Sequence, residues 1–219
     1  MPLTSLEGPV AGTPRWSPDG KQIAFDARLA GRSDIFTIPA TGGVMRRVTK
    51  EPANALVPSW SSDGRWIYFS QGKELQVWKI PASGGEARQV TRNGGIAPFE
   101  STDGRSLYYA KMRDRGIWRM PVNGGEETLV ADVVKPGHWG YWALSPKGIY
   151  FVNLDSPHNH TIDFFDFFTK KTKTVVSLTE QFNIETADSA LAISPDGRSI
   201  LYTQFDQAES DIMMVENIR

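Results

Sequence analysis

A short turn pattern returns five times along the chain and constrains the fold more than any other feature of the sequence. Segments of the type Ser-x-Asp-Gly, with substitutions in some copies, end at Gly20, Gly64, Gly104, Gly148 and Gly197. These glycines are 44, 40, 44 and 49 residues apart, and a period of about 40 to 50 residues is typical of propeller blades with four strands each. The sequence therefore predicts an array of similar β-sheets.

The local chemistry of each copy favours a hairpin. In Ser17-Pro18-Asp19-Gly20 the proline suits the first central position of a type I turn, and the glycine supplies the positive φ that follows. The aspartates of these turns are predicted to bond local backbone. Each turn leads into a short apolar run without strict alternation, as expected of strands covered on both faces. The runs are residues 23–25, 67–69, 107–109, 149–151 and 200–202.

The repeats predict a single all-β domain over residues 1–219, a five-bladed β-propeller of four-stranded antiparallel blades. The last repeat stops after its third strand, whereas residues 2–5 resemble a fourth strand. We therefore expect the N-terminal strand to pair with residues 211–215 and close the last blade, which would remove an exposed sheet edge. The alternative is a fragment of a larger propeller.

Composition limits the kinds of partner. The chain has 24 basic and 25 acidic residues and a net charge of -1, so it has no overall field that would hold nucleic acid or an anionic membrane. It has no cysteine, which excludes disulfides and thiolate sites and leaves the compartment undetermined. No apolar run has the length of a signal peptide or a membrane span. The expectation is a soluble monomer without membrane contact, with an extracytoplasmic, periplasmic location as one option within a longer protein.

Catalytic patterns are missing from the sequence. It contains no Gly-x-Ser-x-Gly elbow, no His-Glu-x-x-His and no phosphate-binding glycine loop. We therefore predict that the chain is not an enzyme, with no catalytic residues and no cofactor. Asp155, His158 and His160 lie close together in sequence, but a zinc site would need a further ligand from elsewhere, so no metal is expected.

Function is predicted on the side of the disc that carries the irregular loops. In a four-stranded antiparallel blade, the stereotyped turns share one side, and the loops between strands two and three and between blades share the other. Variable loops on a rigid scaffold are the usual place for a binding site. The candidate residues for binding a ligand or partner are His138, Trp139, Tyr141, Trp142, Glu100, Lys111 and Arg113.

These candidates differ in their chemistry. The segment 138–142 is the densest aromatic cluster, which can line a ligand or peptide site or can simply pack between blades. Glu100 stands where other repeats carry apolar residues. It is expected to bond a neighbouring arginine or backbone amide, or else to contact a ligand or metal in the channel. Lys111 and Arg113, together with Arg115, form a small basic loop around Asp114, either a solvated surface or a patch that steers an anionic partner.

The repeat resembles the TolB-type, WD-like β-propeller repeat, through "WSPDGKQIAF", "DIFTIPATGG" and "RRVT" in the first unit. More narrowly, "GIWRMPVNGGEE" and the final "SPDGRSILYTQFDQAESDIMMVENIR" resemble the C-terminal propeller segments of bacterial signalling proteins. In that family the propeller is joined to a winged-helix DNA-binding domain or a Ser/Thr kinase domain. The resemblance implies a sensor or scaffold module that binds a protein or a small ligand.

Two other functions remain open from sequence. A carbohydrate-active enzyme would place paired carboxylates in the channel, with Glu100 as the inner-strand candidate. A structural propeller fragment would have no activity of its own. Fold alone does not decide among these possibilities.

Overall fold

The structure is a computed structural model that describes residues 3, 11–29, 31–155, 160–178, 191–194, 196–206 and 209–216. All of the regular structure in this part of the chain is β, in antiparallel sheets whose strands follow in chain order. Within the described residues, no helix is long and apolar enough to cross a membrane.

The strands form five sheets, four with four strands and one with three. The first sheet contains β1 (Ala11–Trp16), β2 (Gln22–Arg28), β3 (Ser33–Pro39) and β4 (Arg46–Arg47). The second contains β5 (Ala55–Trp60), β6 (Trp66–Gln71), β7 (Gln76–Pro81) and β8 (Arg88–Gln89). The third contains β9 (Ile96–Glu100), β10 (Ser106–Ala110), β11 (Ile117–Pro121) and β12 (Thr128–Ala131). The fourth contains β13 (Trp142–Ser145), β14 (Gly148–Asn153), β15 (Thr161–Asp166) and β16 (Thr172–Ser177), and the fifth contains β17 (Leu191–Ile193), β18 (Ser199–Asp206) and β19 (Glu209–Glu216).

The prediction of five complete blades is therefore wrong in its count. Four sheets have the predicted four strands, but the fifth has three in the described part of the chain. The strand that was expected to complete it falls on residues 2–5, of which only Leu3 is described, and Leu3 packs against a cluster of the first sheet that includes Ile23 and Phe25. The expected pairing with residues 211–215 lies outside the described residues.

The chain divides into two compact units, residues 1–112 with 118–128 and residues 113–117 with 129–219. In the first unit, apolar faces of neighbouring sheets form the core, as in the cluster of Ala24, Ile35, Ile67 and Phe69. In the second unit, the fourth and fifth sheets share a cluster that contains Ala143, Val152, Ile162 and Ile200. Burial on both faces explains why the apolar runs lack strict alternation.

The repeated turns have the predicted hydrogen bonds in four of the five copies. The hydroxyls of Ser17, Ser61, Ser101 and Ser194 donate to the aspartate two residues later at 2.6 to 2.7 Å. The same carboxylate oxygen accepts the backbone N–H two residues further on, at 3.0 to 3.1 Å. The closing glycines have φ of 68° to 69°. The aspartates therefore bond local backbone as predicted.

The fourth turn is built differently. Lys147 replaces the aspartate, and Ser145 pairs directly with Gly148, bonding its N–H and its carbonyl through the serine hydroxyl at 3.1 and 3.0 Å. The expected positive φ is not found at Gly148. Instead, a Cβ at this position would meet the carbonyl oxygen of Phe165 at 2.0 Å, so glycine is required there for space.

An irregularity that the sequence analysis missed recurs in the innermost strands of the first three sheets. Thr13, Val57 and Ala97 have φ of 46°, 54° and 52°, and each precedes a proline. The pairing register with the second strand shifts at the same places. A non-glycine residue in this region is strained, and the carboxylate of Asp26 compensates by accepting bonds from the Thr13 hydroxyl and the Val57 N–H.

The turn bonds predict an acid-sensitive contribution to stability. Bonds from Ser61 and from the Arg65 backbone lower the pKa of Asp63 to about 2 from its ordinary 3.8. Because the folded pKa lies below the unfolded one, this stabilisation is present at neutral pH and is lost as the pH falls from about 4 to about 2. Asp63→Asn should lower the free energy of unfolding by about 0.5 to 1 kcal/mol at pH 7, since the carboxylate is partly exposed, and the difference should shrink towards pH 2. Urea unfolding at several pH values measures it.

The control is Glu51→Gln, which removes a carboxylate from an exposed residue outside the turns. It should change the free energy of unfolding by no more than about 0.5 kcal/mol. A difference between the wild type and Asp63→Asn that is the same at pH 7 and pH 2 would contradict the assignment.

Candidate functional site

Three loops of the second unit meet at Arg115, which precedes β11. The Arg115 Nε lies 2.7 Å from an oxygen of Asp132, which follows β12. Its Nη2 donates to Asp155, which follows β14, at 3.0 Å. We call this group, together with Lys135, the loop junction. It joins segments that are far apart in sequence.

Backbone contacts fix the loop junction. The N–H of Gly116 donates to the carbonyl of Val134 at 2.7 Å, and Gly116 has a φ of 98°. A Cβ at Gly116 would meet Leu129 at 2.5 Å and the Ala131 carbonyl at 2.8 Å, so only glycine allows this close approach. The arginine is thus carried on a segment that is tightly packed at its base.

Lys135 connects the loop that follows β12 to the loop that follows β14. Its ammonium donates to the carbonyl of Leu154 at 2.5 Å and lies 3.6 Å from Asp155. The hydrogen bond from Arg115 is the main cause that lowers the pKa of Asp155, and the same bond raises the pKa of Arg115. Arg115 and Asp155 thus each stabilise the charged form of the other.

The loop junction faces solvent despite its internal bonds. The side chains of Arg115, Asp132 and Asp155 are 37, 62 and 59% exposed. Two cations and two anions balance each other, so the group presents a fixed pattern of donors and acceptors without a strong field of one sign. Such an arrangement suits recognition of polar groups on a partner, and it contains no nucleophile paired with a base.

The predicted aromatic segment lies beside the loop junction in sequence and leads into β13. The rings of His138 and Tyr141 are 5.8 Å apart, and the N–H of His138 donates to the carbonyl of Lys135 at 3.1 Å. His138 is half-buried, whereas Trp139, Tyr141 and Trp142 are only 8, 4 and 1% exposed. The burial of these three favours the packing interpretation, and their role in binding stays a prediction.

Arg113 and Asp155 are two further candidate residues of the second unit. Arg113 is exposed and lies in the same loop as Arg115. Of the zinc candidates, Asp155 is bound by Arg115 and Lys135, and His158 lies outside the described residues.

Glu100 belongs to the first unit and has a structural role there. It accepts bonds from the backbone N–H and the hydroxyl of Ser62, at 3.0 and 2.7 Å, and from the Tyr68 hydroxyl at 2.6 Å. Burial is the main cause that raises the pKa of Tyr68, and the hydrogen bond to Glu100 is the second. The bond to a backbone amide that the sequence predicted is therefore present, and it ties the second sheet to the third.

Lys111, also in the first unit, does not lie on a solvated surface, and that expectation is wrong. The residue is 5% exposed, its ammonium donates to Glu127 at 2.7 Å, and it lies 3.9 Å from the centre of the Trp118 ring. Burial would raise the pKa of Glu127, but hydrogen bonds from Lys111, Tyr109 and Asn93 outweigh burial and lower it. Lys111 is thus a buried ion-pair partner.

Comparisons with known proteins agree with this architecture. A family model described as the TolB beta propeller domain matches residues 3–153, more than half of the chain. The chain is 36% identical over 86 residues to the Tol-Pal system protein TolB of Anaeromyxobacter dehalogenans, covering 38% of this chain and 20% of that protein. It is 32% identical over 78 residues to the uncharacterized protein Atu1656 of Agrobacterium fabrum, covering 35% of this chain and 27% of that protein. The chain thus spans only a minor part of these curated relatives.

A solved structure extends the similarity in fold. The crystal structure of TolB from Acinetobacter baumannii superposes with a TM-score of 0.77 at 20% identity, covering 94% of this chain and 52% of that one. At this level of identity the likeness establishes an all-β propeller of four-stranded antiparallel sheets and not a shared activity.

The pair formed by Lys111 and Glu127 predicts strong coupling. Glu127→Gln leaves a buried cation without its carboxylate, so it should lower the free energy of unfolding by about 3 kcal/mol. Lys111→Met should lower it by less, because the Glu127 carboxylate is partly exposed and keeps its bonds from Tyr109 and Asn93. The double variant should lose less than the sum of the two, with a coupling of about 1 to 3 kcal/mol. Urea denaturation of the four proteins measures the cycle.

The matched control is the exposed pair of Lys21 and Asp19, whose charged atoms are 3.9 Å apart. Its cycle, with Lys21→Met and Asp19→Asn, should show no measurable coupling, because water and salt screen an exposed ion pair. Equal coupling in the two cycles would mean that Lys111 gains nothing from its burial.

Proposed function

The chain belongs to the TolB β-propeller domain family, and from this premise we propose that it is a non-catalytic module that recognises another protein through the loop junction and its surroundings. The observation that carries the proposal is the convergence of three loops on Arg115, with exposed carboxylates on both sides of it. A rigid group of charges that remains open to solvent is suited to specificity and orientation in binding.

The repeated turns support this choice of surface. Their polar groups are satisfied locally by serine, aspartate and backbone N–H, as at Ser17 and Ser61. The loops of the second unit instead differ from one repeat to the next, and variation on a fixed scaffold is typical of binding surfaces. Arg113 and His138 extend the proposed surface on either side of Arg115 in sequence.

The class of partner follows from the chemistry of these side chains. Arg115 is bonded to the two acids Asp132 and Asp155, so the group offers both donors and acceptors. This matches a polar protein segment better than nucleic acid, whose recognition needs a basic surface. The similarity to proteins named for the Tol-Pal system supports a role in a protein assembly.

The wider role is part of the same proposal. We infer that the propeller is the sensor or scaffold part of a longer bacterial signalling protein, and that an extracytoplasmic, periplasmic location suits it. The motivation is the resemblance of the repeats to such segments, together with the small share of its curated relatives that the chain spans.

The carbohydrate-active alternative has less support. Its candidate acid, Glu100, is held by Ser62 and Tyr68 in a contact between two sheets. A catalytic carboxylate of this type needs a partner acid about 5 to 10 Å away across the substrate. Glu100 is better explained as a structural group.

A peptide-display experiment tests the proposed surface. Peptides selected on the wild-type chain should bind about tenfold more weakly to Arg113→Ala, Arg115→Ala and His138→Ala, because the affinity of an interface is concentrated in a few side chains. Isothermal titration calorimetry measures the dissociation constants. Near-ultraviolet circular dichroism of each variant should show native packing, so that weaker binding is separated from a change in folding.

The matched control variants are Lys21→Ala and Lys50→Ala, which change exposed lysines of the first unit. Both should bind the selected peptides as the wild type does. Selected peptides that bind all three loop variants with unchanged affinity would overturn the proposal.

A further inference from the structure

The fourth sheet departs from the repeat at both of its tight turns. The turn between β13 and β14 carries Lys147 where the other repeats carry an aspartate. The turn between β15 and β16 carries Lys170 and Lys171, where the first three repeats have Gly-Gly, and Lys173 follows in β16. Because the sheet is antiparallel and in chain order, the two turns lie at the same end, and the N–H of Phe167 donates to the carbonyl of Lys147 at 2.9 Å.

A cavity of about 580 Å³ opens beside these turns, within the second unit. We call it the lysine cavity, because Lys147, Lys171 and Lys173 line it. Its volume falls in the range of about 300 to 1,000 Å³ that is typical of small-molecule sites.

Aromatic rings provide its apolar wall. Tyr150 and Phe164 both line the cavity, with ring centres 4.6 Å apart and planes inclined by 43°. The ammonium of Lys173 lies 5.9 Å from the centre of the Phe164 ring. Burial raises the pKa of Tyr150, so its hydroxyl stays neutral. A planar apolar group could therefore pack here beside positive charge.

The acids of the cavity are already engaged. Asp166 accepts the N–H groups of Phe168 and Thr169 at 2.8 and 2.7 Å. Asp196 accepts bonds from Ser194 and from the Arg198 side chain, at 2.7 and 3.0 Å.

The lysines differ from these acids. Lys147 and Lys171 have no ion-pair partner within the described part of the chain. Three lysines and two acids line the cavity, and Asp196 is paired to Arg198, so the balance of charge among the described lining residues is positive.

We propose that the lysine cavity binds a small anionic ligand with a planar apolar ring, of the class of aromatic carboxylates and sulfonates. The ring packs against Tyr150 and Phe164, and the anionic group lies between Lys147 and Lys171. The proposal does not depend on the loop junction, which is formed by other loops of the same unit.

Two fluorescent dyes of matched shape test the proposal. Anilinonaphthalene sulfonate carries the anion, and phenylnaphthylamine has the same aromatic body without charge. The sulfonate should bind the wild type more tightly than the neutral dye. Lys147→Asp, which restores the residue of the other repeats, and Lys171→Asp should each weaken sulfonate binding about fivefold and leave the neutral dye unaffected.

The control variant is Lys50→Asp, which makes the same change of charge at an exposed position of the first unit. It should bind both dyes as the wild type does, and the near-ultraviolet circular dichroism of every variant should show native packing. Sulfonate binding that is unchanged by Lys147→Asp and Lys171→Asp, or weakened equally by Lys50→Asp, would overturn the proposal. Since neither lysine belongs to the loop junction, loss of peptide binding and loss of dye binding can be told apart.

Discussion

The hydrogen bond from a serine hydroxyl to the aspartate two residues later is the interaction on which the rest of the structure depends. It fixes the turn between the first two strands in four of the five repeats, and the turn sets the register of the strands that follow. Register in turn decides which side chains face the neighbouring sheets. The cluster around Ile67 and Phe69 therefore inherits its arrangement from a contact that is entirely local. In the fourth sheet, which lacks the aspartate, the direct pairing of Ser145 with Gly148 takes the place of that bond.

The innermost strands show a second recurring constraint, in which the backbone adopts a conformation that the local sequence disfavours. A residue before proline avoids helical conformations, yet Thr13, Val57 and Ala97 have positive φ. The surrounding sheets must therefore hold them in place, and the Asp26 carboxylate does so for two of them. The fourth sheet has Tyr141 and Trp142 instead of a residue followed by proline, and its first pair of strands keeps a regular register. Buried aromatic packing replaces the strained bulge there.

Local chemistry explains what the sequence could and could not predict. The turns, their glycines and the apolar strand segments depend on neighbours within six residues, so the residue types alone were enough to predict them. The hydrogen bond between Glu100 and a backbone amide could also be predicted, because a carboxylate at an apolar position needs a partner. The buried ion pair of Lys111 could not be predicted, since its partner Glu127 follows 16 residues later and a basic loop ordinarily faces solvent. The junction of Arg115 with Asp155 joins residues 40 positions apart, and nothing in the repeat pattern pairs them. The number of strands in the last sheet depends on long-range pairing in the same way.

The fourth repeat shows how a rigid repeat can acquire a different surface. The aspartate of the turn can be replaced only if something else closes the hairpin, and the direct pairing of Ser145 with Gly148 does this. That pairing requires a glycine for space, because the carbonyl of Phe165 lies where a Cβ would be. Once the turn no longer needs its carboxylate, position 147 can carry a lysine at no cost to the hairpin. All five repeats therefore have this glycine, but for different reasons. In four repeats it adopts a positive φ, whereas in the fourth its missing side chain makes room for the pairing that allows a lysine at position 147.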